Sequence, residues 1–171
     1  MSSNLSARSL AYPQVNVHIK EILDSTGIKP SSVYLEINET TLVDDLQSIV
    51  ATVNTLRELD LRLAVDEFGT GYSSLLYIKR FPVGVVKINR SFVSGLGKNP
   101  EDAVIATTIL TLAKALELEV VAEGVENEAQ MNRMRELGFD YGQGYWFGHP
   151  ITIEATEVTV IEPLRKAPLT P

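Results

Sequence analysis

Two adjacent acids before a glycine loop form the stretch of this sequence best suited to chemistry. Asp66 and Glu67 follow the apolar run Leu63 to Val65, which predicts a buried strand. Gly69 to Gly71 predicts a tight loop, because glycine adopts positive φ without a steric cost. Tyr72 to Leu75 then predicts the start of a helix. The alternative is an ordinary turn in which an acid caps the helix, and spacing alone does not separate the two interpretations.

Polar side chains also follow other apolar segments that predict strands. They lie at Asn4, Glu36, Lys87, Glu123 and Gln143. Helical patterns separate these segments, and the alternation of strand and helix predicts an α/β fold with a parallel sheet. Because the carboxyl ends of strands converge on one face of a (β/α) barrel, six polar ends favour a barrel-like ring over an open doubly wound sheet. A closed barrel takes eight strands, so we expect a partial TIM-like barrel with about six of them.

Several of these residues have side-chain oxygens that are hard donors. Asn4, Glu36, Asp66 and Glu67 suit Mg²⁺ or Mn²⁺ better than a soft metal. Two such ions commonly promote in-line hydrolysis of a phosphodiester, with a carboxylate of the adjacent acid pair as a natural bridge. Lys87 could then orient a water or neutralise a phosphate oxygen. The residues therefore predict a two-metal phosphodiester site.

Structural alternatives exist for several of these residues. Lys87 alone is more often a surface lysine with an apolar stem, and Glu123 could belong to a simple strand-to-helix turn. Glu39 suits a loop or a helix N-cap. The aromatic run Tyr145 to Phe147 indicates core packing rather than a stacking platform for a base. Glu36 is harder to explain structurally, because an acid inside an apolar strand needs a buried partner.

Composition limits the class of protein. The 171 residues are 44% hydrophobic, which suits one globular domain. The sequence has no apolar run of membrane-spanning length and no signal-peptide core. It contains no cysteine, which excludes disulfides and thiolate metal sites and fits a cytoplasmic protein. The net charge of −7 argues against binding to a nucleic-acid polymer, but not against a phosphate ligand held through metal ions.

Six segments of the chain, in this order, resemble the EAL family, the bacterial phosphodiesterases that open cyclic di-GMP. They are NLSAR, LEINET, VDEFGTGYSSL, VKINRSF, VVAEGVE and GQGYWFGHP. The resemblance covers nearly all of residues 1–150, so we expect one EAL-type domain there and a C-terminal tail over residues 151–171. It implies a modified TIM barrel, Mg²⁺ or Mn²⁺ as cofactor, cyclic di-GMP as ligand and linear pGpG as product.

The resemblance also implies roles for individual residues. Asn4, Glu36 and Asp66 match metal ligands of the family, and Glu67 matches the second acid of its DDFGTG motif. Matches to other functional residues are Lys87 (a catalytic lysine that acts on the attacking water), Glu123 and Gln143 (further site residues), Glu39 (the anchor of the glycine loop near the dimerisation surface) and Glu126 (the second glutamate of its motif).

The sequence departs from the family pattern in three places. It lacks the Glu-Ala-Leu motif, and we expect the strands that would carry this motif to be absent from this chain. Glu67 replaces an aspartate, and Asn89 replaces the aspartate of the usual KID motif, so a charged group becomes neutral. We therefore expect impaired or absent hydrolysis in the isolated chain. The alternatives are an active phosphodiesterase once the barrel is completed, a degenerate regulatory module that binds the dinucleotide or a protein, and a fragment without independent function.

An incomplete barrel has a further consequence. Two sheet edges and an apolar interior would be exposed, and open edges promote pairing between chains. The sequence therefore also predicts self-association, as a homodimer or a larger assembly.

Overall fold

A single sheet of parallel strands organises the chain. The structure, a computed structural model, describes residues 1–44, 46–70, 78, 81–96 and 99–152. Six strands in these ranges pair in chain order, each parallel to the next. They are β1 (Ser2–Asn4), β2 (Tyr34–Asn38), β3 (Arg62–Phe68), β4 (Val85–Ile88), β5 (Glu119–Glu123) and β6 (Tyr141–Gln143).

In the described ranges, helices lie between β1 and β2, between β2 and β3, between β4 and β5, and between β5 and β6. They are α1 (Ala7–Leu10), α2 (Val15–Thr26), α3 (Glu39–Asp44), α4 (Leu46–Glu58), α5 (Arg90–Ser94), α6 (Pro100–Ala115) and α7 (Glu128–Leu137), with a short 3₁₀ turn at Pro30–Ser32. Gly27 and Gly138 follow α2 and α7 in the left-handed conformation, with φ of 68° and 88°. Glycine lacks a Cβ, which makes this conformation accessible at a helix end. The predicted helix beginning at Tyr72 to Leu75 lies outside the described residues.

The two faces of the sheet differ in chemistry. Alternate residues of a strand point to opposite faces, and one face carries the fully buried side chains of Ile37, Val65, Val86, Ile88 and Val120. These pack in one core with helix residues such as Val53 and Ala106. The other face carries the polar strand-end residues. The apolar face thus places the helices on the outside and leaves a concave polar face for the site.

The order of the strands confirms the barrel-like prediction. The sheet runs from β1 to β6 without a reversal of strand order, and it curls into a half-barrel. A doubly wound sheet would instead reverse direction at a switch point. The expected six of eight strands are all present in the described ranges.

One packing prediction was wrong. The aromatic run after β6 was predicted to be core, but Tyr145, Trp146 and Phe147 are 58%, 45% and 40% exposed. The strand ends at Gln143, and the run forms a loop outside the sheet. The Trp146 N–H donates to the Val125 carbonyl at 2.9 Å, which fixes the loop against the segment that follows β5.

The sheet has two open edges in the described part of the chain. β1 pairs only with β2, and its residues are all exposed. The Leu5 N–H donates to the Glu36 carbonyl and the Met1 carbonyl accepts from the Tyr34 N–H. Because bonding direction alternates along a strand, the N–H groups of Ser2 and Asn4 point to the open side.

Among the described residues no helix has the length and apolarity required to cross a membrane.

Candidate active site

A β-bulge distorts β3 where the two adjacent acids lie. From Val65 to Phe68 the strand advances three residues while β4 advances two, from Val86 to Ile88. Asp66 and Glu67 thus oppose a single residue of β4, Lys87. Glu67 takes φ of 55°, a left-handed conformation that is uncommon outside glycine. Bulges bend a strand and redirect its side chains, often beside active sites. Here the bulge ends the regular strand at the concave rim.

Lys87 lies at the centre of the concave rim. Its ammonium Nζ is 2.8 Å from Glu36 Oε2, 2.7 Å from Glu123 Oε1 and 3.4 Å from Asp66 Oδ1. Only 4% of Lys87 is exposed, so the alternative of a surface lysine is wrong. The four residues come from β2, β3, β4 and β5, at neighbouring positions on the same face. The fold therefore gathers three of the predicted site residues around a fourth, the cation of Lys87.

The charges at this centre are strongly coupled. Burial by itself would lower the pKa of Lys87, but the hydrogen bonds and charges of Glu123 and Glu36 outweigh burial and raise the pKa above its ordinary value. Burial raises the pKa of the Glu123 carboxyl, and Lys87 opposes that shift. The negative charges of Asp66 and Glu36 add to the upward shift of Glu123. Lys87 is consequently a charged lysine at neutral pH, surrounded by more acid than it can neutralise.

The glycine loop after β3 docks on the start of α3. The Gly69 N–H donates to Glu39 Oε2 at 3.0 Å, and Glu39 is buried as the first residue of α3. The Asn38 amide donates to Glu67 Oε2, and the Thr70 hydroxyl donates to the Glu67 carbonyl at 2.8 Å. Glu39 thus contacts the loop that the resemblance assigned to it. Glu67 is directed to Asn38, whereas Asp66 is directed to Lys87.

Sequence reasoning missed Asn38. The residue ends β2 on the same face as Glu36, two positions later, and it pairs in register with Asp66. A polar residue with that spacing at a strand end was an available signal. Its role as a partner of Glu67 could not be predicted, because it depends on the bulge.

Asn4 and Gln143 lie at the ends of the two edge strands. Asn4 pairs in register with Glu36, and Gln143 pairs with Glu123, so both share the concave face with the acids around Lys87. Both residues are exposed. The Gln143 backbone carbonyl accepts from the Val125 N–H at 3.0 Å, a bond that does not involve the side-chain amide.

Asn89 and Glu126 lie beyond the strand ends, in loops. Asn89 is the N-cap of α5, and its side-chain oxygen accepts from the Ser91 N–H at 2.9 Å. Glu126 is exposed, and its backbone N–H donates to the buried Gln130 side chain at 2.8 Å. The contact of Asn89 gives its side chain a local structural role, whereas the contact of Glu126 involves only the backbone. Among the described residues, the carboxylates that pair with Lys87 are those of Glu36, Asp66 and Glu123.

The rim suits a hard divalent cation by its donor chemistry. Asn4, Glu36 and Asp66 offer carboxylate and amide oxygens on one face, and these are the ligands that Mg²⁺ and Mn²⁺ prefer. Within the described ranges, however, no group of three or more His, Cys, Asp or Glu side chains is arranged to hold a metal ion. The carboxylates are arranged around Lys87 instead, so a metal would share Glu36 and Asp66 with that ammonium.

The family of the chain is identified by comparison with known proteins. The family model of the EAL domain matches residues 1–150. The chain is 37% identical over 151 residues to the bifunctional diguanylate cyclase/cyclic di-GMP phosphodiesterase MucR of Pseudomonas aeruginosa, covering 88% of the chain and 22% of MucR. It is 36% identical over 159 residues to the signaling protein YkoW of Bacillus subtilis, covering 93% of the chain and 20% of YkoW. The chain thus spans about a fifth of these relatives.

Solved structures agree with the sequence comparisons. The structure of the MucR phosphodiesterase in complex with c-di-GMP superposes with a TM-score of 0.86 at 36% identity, covering 91% of this chain and 63% of that chain. The manganese/cy-diGMP complex of BlrP1 from Klebsiella pneumoniae superposes with a TM-score of 0.81 at 27% identity, covering 87% of this chain and 38% of that chain. Structural relatives of this half-barrel therefore include complexes with the dinucleotide and with a divalent metal.

Proposed function

Because the chain belongs to the EAL domain family, we propose that it binds cyclic di-GMP at the concave rim with the help of a divalent metal, Mg²⁺ or Mn²⁺. The observation that carries this proposal is the convergence of Glu36, Asp66 and Glu123 on Lys87. Its relatives support the choice of ligand, since MucR is a cyclic di-GMP phosphodiesterase and its structure holds c-di-GMP.

The charge balance at the rim favours binding of a cation over direct binding of a phosphate. Three carboxylates and one ammonium leave a net charge of −2 when all are ionised. An anionic phosphodiester would be repelled by that charge, whereas a divalent cation would be attracted and would reverse the local field. Asn4, Glu36, Asp66 and Glu67 would hold the cation, and a bound metal would polarise the phosphoryl oxygen and activate a water. The proposal therefore makes dinucleotide binding dependent on metal.

The remaining rim residues act on the ligand in this proposal. Lys87, held by Glu36 and Glu123, presents a fixed positive charge to a phosphate oxygen or orients the attacking water. Gln143, exposed at the end of β6, can donate to the ligand from the far side of the rim. Glu39 keeps the glycine loop docked through the Gly69 N–H. These roles follow from where the side chains lie and from the family resemblance.

We further propose that the isolated chain hydrolyses cyclic di-GMP to pGpG weakly or not at all. Glu67 replaces aspartate, so its carboxylate extends one methylene farther from the backbone, and Asn89, which replaces the aspartate of KID, uses its oxygen to cap α5. A misplacement of about 1 Å can lower a rate by ~100-fold. A completed barrel, with two more strands, is the context in which hydrolysis is expected to return.

Calorimetry and product analysis test these proposals together. Cyclic di-GMP is titrated into the chain with Mn²⁺ and, separately, with EDTA, and pGpG is measured by chromatography. Metal-dependent binding with little pGpG is the expected result. Rapid formation of pGpG by the isolated chain would contradict the impairment, and absence of binding in both titrations would contradict the proposed binding of cyclic di-GMP.

A second proposal concerns assembly and location. The outward N–H groups of the β1 edge support self-association, because an unpaired strand edge is a template for another strand.

A cytoplasmic location is also proposed, since cyclic di-GMP turnover is the family activity that the resemblance implies. Fractionation of the expressed protein tests the location.

A further inference from the structure

The side chain of Asn38 bonds to two different elements through its two polar atoms. Its oxygen Oδ1 accepts from the Thr40 N–H at 3.0 Å and from the Thr40 hydroxyl at 2.7 Å. Its nitrogen Nδ2 donates to Glu67 Oε2. Thr40 is the second residue of α3, so the first contact is an N-cap. The second contact crosses to the bulge of β3.

The cap fixes which way the amide of Asn38 faces. A backbone N–H can only donate, so the Asn38 atom facing Thr40 must be the oxygen. The NH₂ group is then the atom that faces Glu67, and a flip of the amide would set two donors against each other at Thr40. The helix cap therefore orients the donor that binds Glu67.

Glu67 needs such an orienting contact more than a shorter acid would. Its side chain has three rotatable bonds, it is exposed, and its backbone lies in the left-handed region at φ of 55°. A donor on one carboxylate oxygen restricts these rotamers and leaves the other oxygen available. Groups that hydrogen-bond to a metal-ligating carboxylate commonly alter metal affinity by 10- to 100-fold.

We propose that Asn38 is a positioning residue that holds the Glu67 carboxylate in place for the divalent metal of the rim. This inference rests on the proposed function, because it requires metal binding there. In this arrangement a change in the amide of Asn38 alters metal affinity through Glu67, although Asn38 itself is not a ligand. The alternative is that Asn38 only caps α3 and that its contact with Glu67 has no effect on the site.

Substitution by serine separates the two roles. Asn38→Ser keeps a side-chain oxygen that can cap α3 as well as asparagine does, but it removes the NH₂ donor. Asn38→Thr does the same with a side chain suited to a strand end, and it serves if the serine variant folds poorly. Glu67→Gly removes the carboxylate in a residue that accepts φ of 55° without strain. The unfolding midpoint of each variant in urea verifies that the fold is kept.

Mn²⁺ alone is the probe, and the free ion is measured by electron paramagnetic resonance. We expect Asn38→Ser to weaken Mn²⁺ binding about 10-fold with an unchanged unfolding midpoint. In the Glu67→Gly background the same substitution should have no further effect. Wild-type affinity in Asn38→Ser, or an equal loss in both backgrounds, would overturn the inference while leaving the proposed function intact. Failure of the wild-type chain to bind Mn²⁺ would overturn both.

Discussion

Lys87 Nζ and Glu36 Oε2 lie 2.8 Å apart in a buried ion pair that joins β4 to β2 across β3. Side chains of the two residues are 6% and 9% exposed, so water screens their interaction little. The pair lies under the rim where Asp66 and Glu123 also reach Lys87. The ion pair that stabilises the half-barrel and the ligand binding that we propose for its rim therefore involve the same lysine.

Loss of the Lys87 charge should destabilise the fold. Lys87→Met leaves Glu36 and its neighbouring acids buried without a cation, and breaking a buried ion pair in this way costs about 3–5 kcal/mol. Urea unfolding followed by circular dichroism measures the change. Lys20→Met is the matched control, because Lys20 pairs with Asp24 on an exposed helix surface. We expect the control to change stability by less than about 1 kcal/mol, and equal losses in both variants would contradict the central position of Lys87.

The Lys87 contribution should also disappear at alkaline pH. The acids raise the pKa of folded Lys87 above the ordinary value of 10.5, so folding favours the protonated lysine. Its stabilising contribution is fully present below pH 10.5 and decreases as the pH rises from there through the folded pKa. The stability difference between wild type and Lys87→Met should therefore be constant near neutral pH and shrink above pH 10.5. Urea titrations over this range measure it, and a constant difference at all pH values would be the contrary outcome.

Glu117, two residues beyond the end of α6, offers a test of backbone strain away from the rim. Glu117 has φ of 59°, and its N–H donates to the Lys114 carbonyl at 3.0 Å. Glycine adopts this left-handed conformation without a Cβ clash, so Glu117→Gly should stabilise the chain by about 0.5–1 kcal/mol. Glu136→Gly, in the last turn of α7, is the control and should destabilise by about 1 kcal/mol through lower helix propensity and loss of the exposed ion pair with Arg133. Calorimetric unfolding distinguishes the two, and loss of stability in Glu117→Gly would show that the conformation is not strained.

The β1 edge should control self-association. Ser2→Pro removes an N–H that points to the open side, whereas the bonds from Met1 and Leu5 to β2 remain. Light scattering after size-exclusion chromatography should give assemblies for the wild type and a shift toward monomer for Ser2→Pro. A wild-type chain that is monomeric at all concentrations tested would contradict self-association through this edge.

The sequence was sufficient to predict the parallel sheet and the residues that meet at its rim. Parallel strands carry their end residues to one face, so polar residues at six strand ends predicted the neighbourhood of Glu36, Asp66 and Lys87 without tertiary detail. The bulge at Glu67 could not be predicted, since a non-glycine residue with positive φ is stabilised by its tertiary contacts. The partnership of Asn38 with Glu67 depends on that bulge. The exposure of Trp146 escaped prediction because an aromatic run indicates burial whether it lies in a strand or beyond its end.

Metal-dependent binding of cyclic di-GMP is the central claim, and calorimetry with one rim variant tests it most directly. The wild-type chain and Asp66→Asn are each titrated with cyclic di-GMP in Mn²⁺ and in EDTA. Asp66→Asn keeps the size of the side chain and removes one acid from the rim. We predict binding by the wild type in Mn²⁺, none in EDTA, and at least about a 10-fold loss for Asp66→Asn. Equal affinity of both proteins, with or without Mn²⁺, would contradict a metal-dependent site at this rim.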